Sequence, residues 1–363
     1  MKKLLVVVGT RPNFVKVMRF KAVAEQRGGI QVRIVHTGQH TDDRMSTVFF
    51  DQFGMRPDHW LDVPVGSSNT RIAHIMLALE LLVTSGKPDA MVVVGDVDST
   101  LAAALTANKM DLCLVHVESG LRSHEPRLPE EANRILTDRL SKHLFTTEPS
   151  ARENLLREGY DPAMIHMVGN TMIDTLVACE GRIQADGILE RMALGKGGHA
   201  LMTIHRQATV DDPLRLDLLF DLITTVAQRY RVVFPMHPRT MNNVERMGRM
   251  QRLRAVPGLH ICGPLDYLAF QKLIATSAFV LTDSGGVQEE TTYRRIPCLT
   301  LRPSTERPVT VDEGTNELIE FDAAQVEAAM ERIANGTFKK GRIPDLWDGY
   351  ATERIFDHLS SIL

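Results

Sequence analysis

Short apolar runs at residues 4–8, 32–36, 90–94, 112–117 and 165–168 recur through the first half of the chain, separated by longer amphipathic stretches. Continuous β-branched runs of this length predict strands buried on both faces. The intervening segments at 14–25, 69–84, 99–107, 130–140 and 150–157 read as helices. The pattern restarts with strand-like runs at 200–203, 232–235, 259–262, 279–281 and 298–301, alternating with helical stretches at 214–229, 242–253, 267–275 and 287–293. Strand–helix alternation in both halves predicts an α/β protein of two Rossmann-like, doubly wound domains. The boundaries fall at 1–170 and 171–345. Helix 171–184 serves as connector, Gly195-Lys196-Gly197-Gly198 as the loop into the second sheet, and 346–363 as a terminal helix able to pack back on the first domain. Ligands of open parallel sheets bind beyond the strands' carboxyl ends, so an interdomain cleft is the expected site.

Composition narrows the function classes. The 363 residues carry 42 basic and 45 acidic side chains, a net charge of −3, which leaves no broad polycationic surface for nucleic acid. A phosphorylated ligand must be met by a few placed cations and backbone N–H groups. Cys113, Cys179, Cys262 and Cys298 form no Cys-x-x-Cys pair, as expected of free thiols in a reducing cytoplasm. The apolar start breaks at Gly9-Thr10-Arg11-Pro12, too early for a signal peptide, and no run approaches the roughly 20 residues of a membrane span.

Candidate chemistry collects immediately after the strands. Gly9-Thr10-Arg11-Pro12 combines a tight turn, a proline suited to a helix's first position, and the cations Arg11 and Lys16 beside a helix N-terminus. Asp96 follows the third run and Glu118 the fourth, while Pro129-Glu130-Glu131 opens a helix with two acids. Each acid has a bland alternative as a cap or dipole partner. Their convergence from neighbouring strand ends suits proton removal and delivery. In the second half, His205-Arg206 and His237-Pro238 end strands, and Asp283-Ser284-Gly285-Gly286 bares backbone N–H groups at a helix start, as phosphate binding requires. Glu290, about one turn inside, could take a ribose hydroxyl pair. The Asp-Ser-Gly-Gly string also surrounds the nucleophile of chymotrypsin-like proteases, but that fold is all-β. His36 and His40 flank Gly38 in a turn without a following His-Glu-x-x-His pattern, so polar loop contacts are preferred to a metal. No metal or cofactor is expected.

The ordered set of Gly9-Thr10-Arg11-Pro12, Gly95-Asp96, His116-Val117-Glu118, Pro129-Glu130-Glu131 with Asn133-Arg134, Gly169-Asn170, His205-Arg206, His237-Pro238, residues 282–290 and Thr305-Glu306-Arg307-Pro308 resembles the non-hydrolysing UDP-N-acetylglucosamine 2-epimerases. The resemblance runs from Leu4 to about Glu317. It implies the glycosyltransferase-B fold and inversion at C2 of UDP-GlcNAc through elimination of UDP, an enzyme-bound 2-acetamidoglucal and re-addition. By position it implies Asp96, Glu118 and Glu130 as acid/base groups, with His205 steadying the diphosphate or leaving oxygen. Arg11, Lys16 and Arg134 would serve the diphosphate or sugar, and Ser284, Gly285 and Gly286 a phosphate. Glu290 would serve the ribose, Phe270 the uracil, Arg307 the nucleotide, and His237 would be an outer cleft residue. A UDP-sugar substrate and a homodimer follow from the same resemblance. Gln207-Ala208-Thr209-Val210-Asp211 departs from the Arg-Glu-Asn continuation of the best-known branch, and Asn13 stands where many members have Glu. Rival expectations are a 2-epimerase of a 2,3-diacetamido uronic acid, a hydrolysing epimerase releasing ManNAc and UDP, and a glycosyltransferase on the same fold.

Overall fold

A computed structural model describes residues 1–38, 52–126 and 128–363; His40 lies outside them. Two compact units emerge, one of residues 1–178 with 345–363, the other of 179–344. Among the described residues no helix is long and apolar enough to cross a membrane.

The first unit holds β1 (Lys2–Val8), β2 (Ile30–His36), β3 (His59–Trp60), β4 (Ala90–Val94), β5 (Cys113–Val117), β6 (His143–Thr146) and β7 (Ile165–Met167). These form one parallel sheet in the order β3-β2-β1-β4-β5-β6-β7. The second unit holds β8 (His199–Thr203), β9 (Arg231–Pro235), β10 (Leu259–Cys262), β11 (Phe279–Thr282), β12 (Cys298–Leu301) and β13 (Asn316–Ile319), parallel in the order β10-β9-β8-β11-β12-β13. Counted within its own unit, the second order is the Rossmann 3-2-1-4-5-6, and the first is the same with one strand added. The expected two-domain, doubly wound α/β class is what the molecule adopts.

Strands read from continuous apolar runs are buried along their length, as in β4 and in β1 from Leu4 onward. The runs at β3, β6 and β13 were not anticipated. β3 has only two residues, and β13 is an edge strand carrying Asn316 and Glu317. β6 begins with a histidine and has only three residues of conventional strand character after it. The helix expected over 14–25 is two helices, Arg11–Val17 and Phe20–Arg27. The break falls at Arg19, whose guanidinium donates to the Gly349 carbonyl at 2.8 Å and pairs with Glu353 at 2.7 Å.

The terminal segment is built into the first unit. Buried Trp347 donates its indole N–H to the Thr147 carbonyl at 3.0 Å. The helix Ala351–Ile362 begins on a carboxylate borrowed from another helix: Asp174 accepts from the N–H groups of Ala351 (3.0 Å) and Thr352 (2.6 Å) and from the Thr352 hydroxyl (2.6 Å). Burial raises the Asp174 carboxyl above its usual range, although these three donors oppose the rise. Gly169, at φ +92°, passes so close beneath Leu346 that a Cβ would stand 2.1 Å from its carbonyl oxygen. Replacing Asp174 by Ala should therefore cost about 2 kcal/mol, through orphaned donors at the start of a buried helix. Urea unfolding of the full chain checks this, and a loss below about 0.5 kcal/mol would refute the capping role.

Candidate functional site

Each sheet has one place where successive crossovers leave in opposite directions, between β1 and β4 in the first unit and between β8 and β11 in the second. Open α/β sheets bind ligands beyond the strand ends at such a point. Polar side chains collect at both points.

In the first unit, β1 runs into Gly9-Thr10 and the helix Arg11–Val17, with half-buried Arg11 as its first residue. Asn13 is buried, accepts from the Thr10 hydroxyl at 2.8 Å and donates to the Val94 carbonyl at 3.0 Å, tying this helix to the end of β4. Lys16, one turn on, forms a buried ion pair with Glu118, which follows β5. Glu118 holds φ +69°, a left-handed conformation unfavourable for a residue with a Cβ, which turns the chain sharply at the strand end. Gly95 (φ +70°) lies under this cluster, its would-be Cβ 3.1 Å from Asn13 Nδ2, 3.5 Å from Glu118 Oε2 and 3.7 Å from Lys16 Nζ. Lys16, expected to serve a ligand diphosphate, is thus committed to a carboxylate in this structure.

Asp96, the next residue, is partly exposed and faces Arg134, whose Nη2 and Nε lie 2.8 and 3.0 Å from its Oδ2. Asn133 donates to the Asp96 carbonyl at 2.9 Å. Both residues come from the helix Pro129–Leu140. Its first turn separates the two acids read from the sequence: Glu130 is exposed and Glu131 buried. Glu131 accepts from Ser123 N–H and Oγ at 2.9 Å each and from His124 N–H at 3.0 Å, and it pairs with Arg134. Burial opposes its ionisation, but these donors and the Arg134 charge outweigh burial and hold the carboxyl below its ordinary range. Behind the cluster, fully buried His116 spans from the Gly95 carbonyl (2.9 Å) to Asp138 (2.6 Å). Asp138 in turn accepts from Gly120 N–H at 3.1 Å and lies 2.8 Å from Arg122. This chain of contacts fixes the ends of β4 and β5 against each other. Asp96, Glu118, Lys16 and Arg134 are thereby gathered at one sheet edge, whereas Glu130 stands exposed at the start of its helix.

In the second unit the strand-end group centres on Asp283. It is fully buried, accepts from the N–H groups of His205 (3.1 Å) and Arg206 (2.9 Å), and lies 3.0 Å from His205 Nδ1. Burial alone would raise this carboxyl; the His205 contacts and the two backbone donors more than offset it, so Asp283 sits below the usual carboxylate range. With Nδ1 held by a carboxylate, the half-exposed His205 ring is oriented with Nε2 as its outward nitrogen. The ring of His237 is 5.9 Å away, and His237 Nδ1 caps its own helix by accepting from Arg239 N–H. Ser284 starts the helix Gly285–Arg294 without a side-chain cap, and Gly285 is needed for space: a Cβ there would meet Glu306 at 2.6 Å and Arg307 at 2.9 Å. Gly286 follows on the same half-buried turn. Arg307 is buried against Glu306 (2.6 Å) and Glu289 (2.9 Å). Glu290 is buried in the same helix, and burial, reinforced by the Glu289 charge and partly opposed by Gln271 and Arg294, raises its carboxyl to about 7. Phe270, on the helix Tyr267–Thr276, packs half-buried against the apolar cluster of Leu273, Val280 and Val287.

The pattern of the UDP-N-acetylglucosamine 2-epimerase family matches residues 22–360. The chain belongs to this family. It is 34% identical over 340 residues to the UDP-N-acetylglucosamine 2-epimerase of Methanocaldococcus jannaschii, covering 92% of each chain. It is 36% identical over 368 residues to the UDP-2,3-diacetamido-2,3-dideoxy-D-glucuronate 2-epimerase of Pseudomonas aeruginosa, covering 99% of this chain and 100% of that one. Among solved structures, the M. jannaschii enzyme in complex with UDP-GlcNAc and UDP superimposes with a TM-score of 0.92 at 33% identity, covering 99% of both chains. The Neisseria meningitidis UDP-GlcNAc 2-epimerase bound to UDP-GlcNAc gives 0.90 at 27% identity, covering 99% of this chain and 100% of that one.

In this member of the 2-epimerase family, the motifs contain Glu131, His116 and Asp283 without a site role for them, and Asp138 lies outside every motif. Glu131 could have been found from its i,i+3 spacing to Arg134. The other three depend on partners distant in the chain.

Two measurements test the electrostatics. Lys16→Met deprives buried Glu118 of its cation and should cost about 3–5 kcal/mol, while adding Glu118→Leu should restore much of that loss. A double mutant as unstable as the single one would contradict the pair. For Glu290, the folded carboxyl stays protonated up to about 7, whereas an unperturbed Glu ionises near 4.5. The fold therefore holds an extra proton between those values, and stability falls as pH rises through that window. Glu290→Gln should stabilise the protein by about 3 kcal/mol at pH 8 and by little at pH 4, read from urea midpoints at the two pH values.

Proposed function

We propose that this protein is a non-hydrolysing UDP-N-acetylglucosamine 2-epimerase, interconverting UDP-GlcNAc and UDP-ManNAc. The observation that carries the reading is near full-length likeness to an enzyme whose structure holds UDP-GlcNAc and UDP, combined with carboxylates and cations at the β1/β4 switch point. The hydrogen on C2 is not acidic by itself, so inversion proceeds by elimination. A base takes the C2 proton, the C1–O electron pair departs with UDP, and a C1=C2 double bond forms the 2-acetamidoglucal. UDP then attacks C1 again while an acid delivers a proton to the opposite face of C2.

Asp96, Glu118 and Glu130 are assigned to this proton traffic. Lys16 pairs with Glu118 in a buried setting, and Arg134 pairs with Asp96 nearer solvent. Arg11, Lys16 and Arg134 supply positive potential toward the sugar and diphosphate. His205, braced by Asp283, steadies the leaving diphosphate oxygen, and Ser284, Gly285 and Gly286 offer helix-start N–H groups to a phosphate. Arg307 and Glu290 serve the nucleotide and its ribose, Phe270 the uracil, and His237 supports His205 from outside. Free thiols and a nucleotide-sugar substrate accord with a cytoplasmic enzyme of polysaccharide biosynthesis. Exposed Leu77, Leu81, Ile135 and Leu136, on helices Ser68–Gly86 and Pro129–Leu140, support a homodimer.

A second reading, a 2-epimerase of a UDP-2,3-diacetamido uronic acid, is favoured by the 36% identity to the Pseudomonas enzyme. Proton NMR in D₂O with each UDP-sugar decides. Conversion of UDP-GlcNAc to UDP-ManNAc with deuterium at C2 is expected, with Asp96→Asn and Glu118→Gln reducing turnover by a factor of 10² or more while UDP still binds. Release of free ManNAc, or turnover of the uronate alone, would displace the first reading.

A further inference from the structure

Three histidines from separate parts of the first unit meet on the side of the sheet covered by the terminal helix. His143 opens β6, His166 lies in β7, and His358 comes from the helix Ala351–Ile362. Each offers a ring nitrogen, and the three nitrogens lie within 4.8 Å of one another. The rings of His166 and His358 have centroids 3.6 Å apart, and His143 approaches His358 at 5.4 Å. Phe145 closes the apolar side, with its ring 5.4 Å from His358 and 5.7 Å from His166.

Hydrogen bonding does not explain this meeting. His143 Nδ1, His166 Nε2 and His358 Nε2 are buried atoms without a hydrogen-bond partner. Leaving one such nitrogen unsatisfied is costly, and three in one place call for a common partner. Nor are the rings charged: burial first, then the neighbouring imidazoles, holds His166 down at about 4. Burial likewise lowers His358, and burial with the His358 and Lys142 charges lowers His143. Ring nitrogens left without hydrogen-bond partners are the atoms through which imidazole ligates a metal.

We propose that His143, His166 and His358 form a binding site for a zinc-class divalent transition-metal ion, which fastens the terminal helix to the β6–β7 edge of the first sheet. Three neutral imidazoles with a position left for water is a familiar donor set for zinc, cobalt, nickel or copper. Around a tetrahedral ion with bonds of about 2.05 Å, ligand nitrogens stand about 3.4 Å apart, so the trio would draw together by no more than about 1.4 Å on loading. Imidazole rotations about χ1 and χ2 accommodate a movement of that size. Two of the ligands lie on neighbouring strands and the third on the helix held at its start by Asp174, so an ion would cross-link the unit's last element to its sheet. The site is independent of the epimerase reading, since none of its residues has a part in the proposed reaction.

The test uses full-length protein without a histidine tag, stripped with EDTA and titrated with Co²⁺. One Co²⁺ per chain is expected, with the strong visible absorption of low-symmetry four-coordinate cobalt and no sulfur charge-transfer band. Zn²⁺ should abolish the absorption, and Zn²⁺ at about 100 times its Kd should raise Tm by about 5 °C or more. His358→Gln and His143→Gln, each checked for native circular dichroism, should weaken Co²⁺ binding at least tenfold and remove the Zn²⁺-dependent rise in Tm. Absence of a one-to-one cobalt complex in the unaltered protein would overturn the proposal. So would a complex and a thermal shift that both substitutions leave intact, or a sulfur band that assigns the cobalt to a cysteine.

Discussion

In a parallel sheet every strand must be entered from the same end, so each crossover has to carry the chain back along a helix. All strand exits and all helix starts therefore collect along one edge. This constraint, met by the 3-2-1-4-5-6 order in the second unit and by the same order with a seventh strand in the first, decides where polar chemistry can be placed. The strand interiors are apolar because helices cover both faces, and only the exits are open to carboxylates, histidines and glycines. Gly95, Glu118, His205 and Asp283 lie at such exits. The left-handed backbone of Glu118 is the strained counterpart of an ordinary glycine turn, occupied by the carboxylate that pairs with buried Lys16.

The acids near these exits are handled in contrasting ways. Glu118 is neutralised by one buried lysine, Glu131 by an arginine and three donors, and Asp283 by backbone N–H groups and an imidazole. Glu290 has too little compensation and keeps its proton to about 7. Glu131 and Asp283 held below the ordinary range and Glu290 raised to about 7 put carboxyls of contrasting proton affinity on one scaffold. The supports are as specific as the acids: Asn13, Asn133 and His116 each tie a strand-end segment to a helix or a neighbouring strand.

Much of this was legible in the residues. Continuous apolar runs gave away β1, β4, β5 and the central strands of the second sheet, since burial on both faces leaves no room for polar alternation. Short or edge strands such as β3 and β13 were not visible, because two to four residues with polar members carry no period. Motif residues followed by glycine or proline stood out through their backbone requirements. Groups defined by distant partners did not: Glu131 was masked by its neighbour Glu130, and His143, His166 and His358 are spread over more than half the chain. No spacing rule connects residues that only the crossover pattern and the terminal helix bring together.

The first unit is discontinuous in the chain, and its closing helix is synthesised after the whole of the second unit. At ~5–20 residues per second, roughly a minute or less separates the first strand leaving the ribosome from arrival of the residues that cover Asp174 and Trp347's partner, Thr147. By the end of that interval the second unit, contiguous from 179 to 344, has its whole sequence in hand while the first still lacks part of 345–363. The amino-terminal half is thus the later one to be completed. A nascent chain of this protein carries its earliest-made sheet with an open flank, a state in which holdase chaperones have something to recognise.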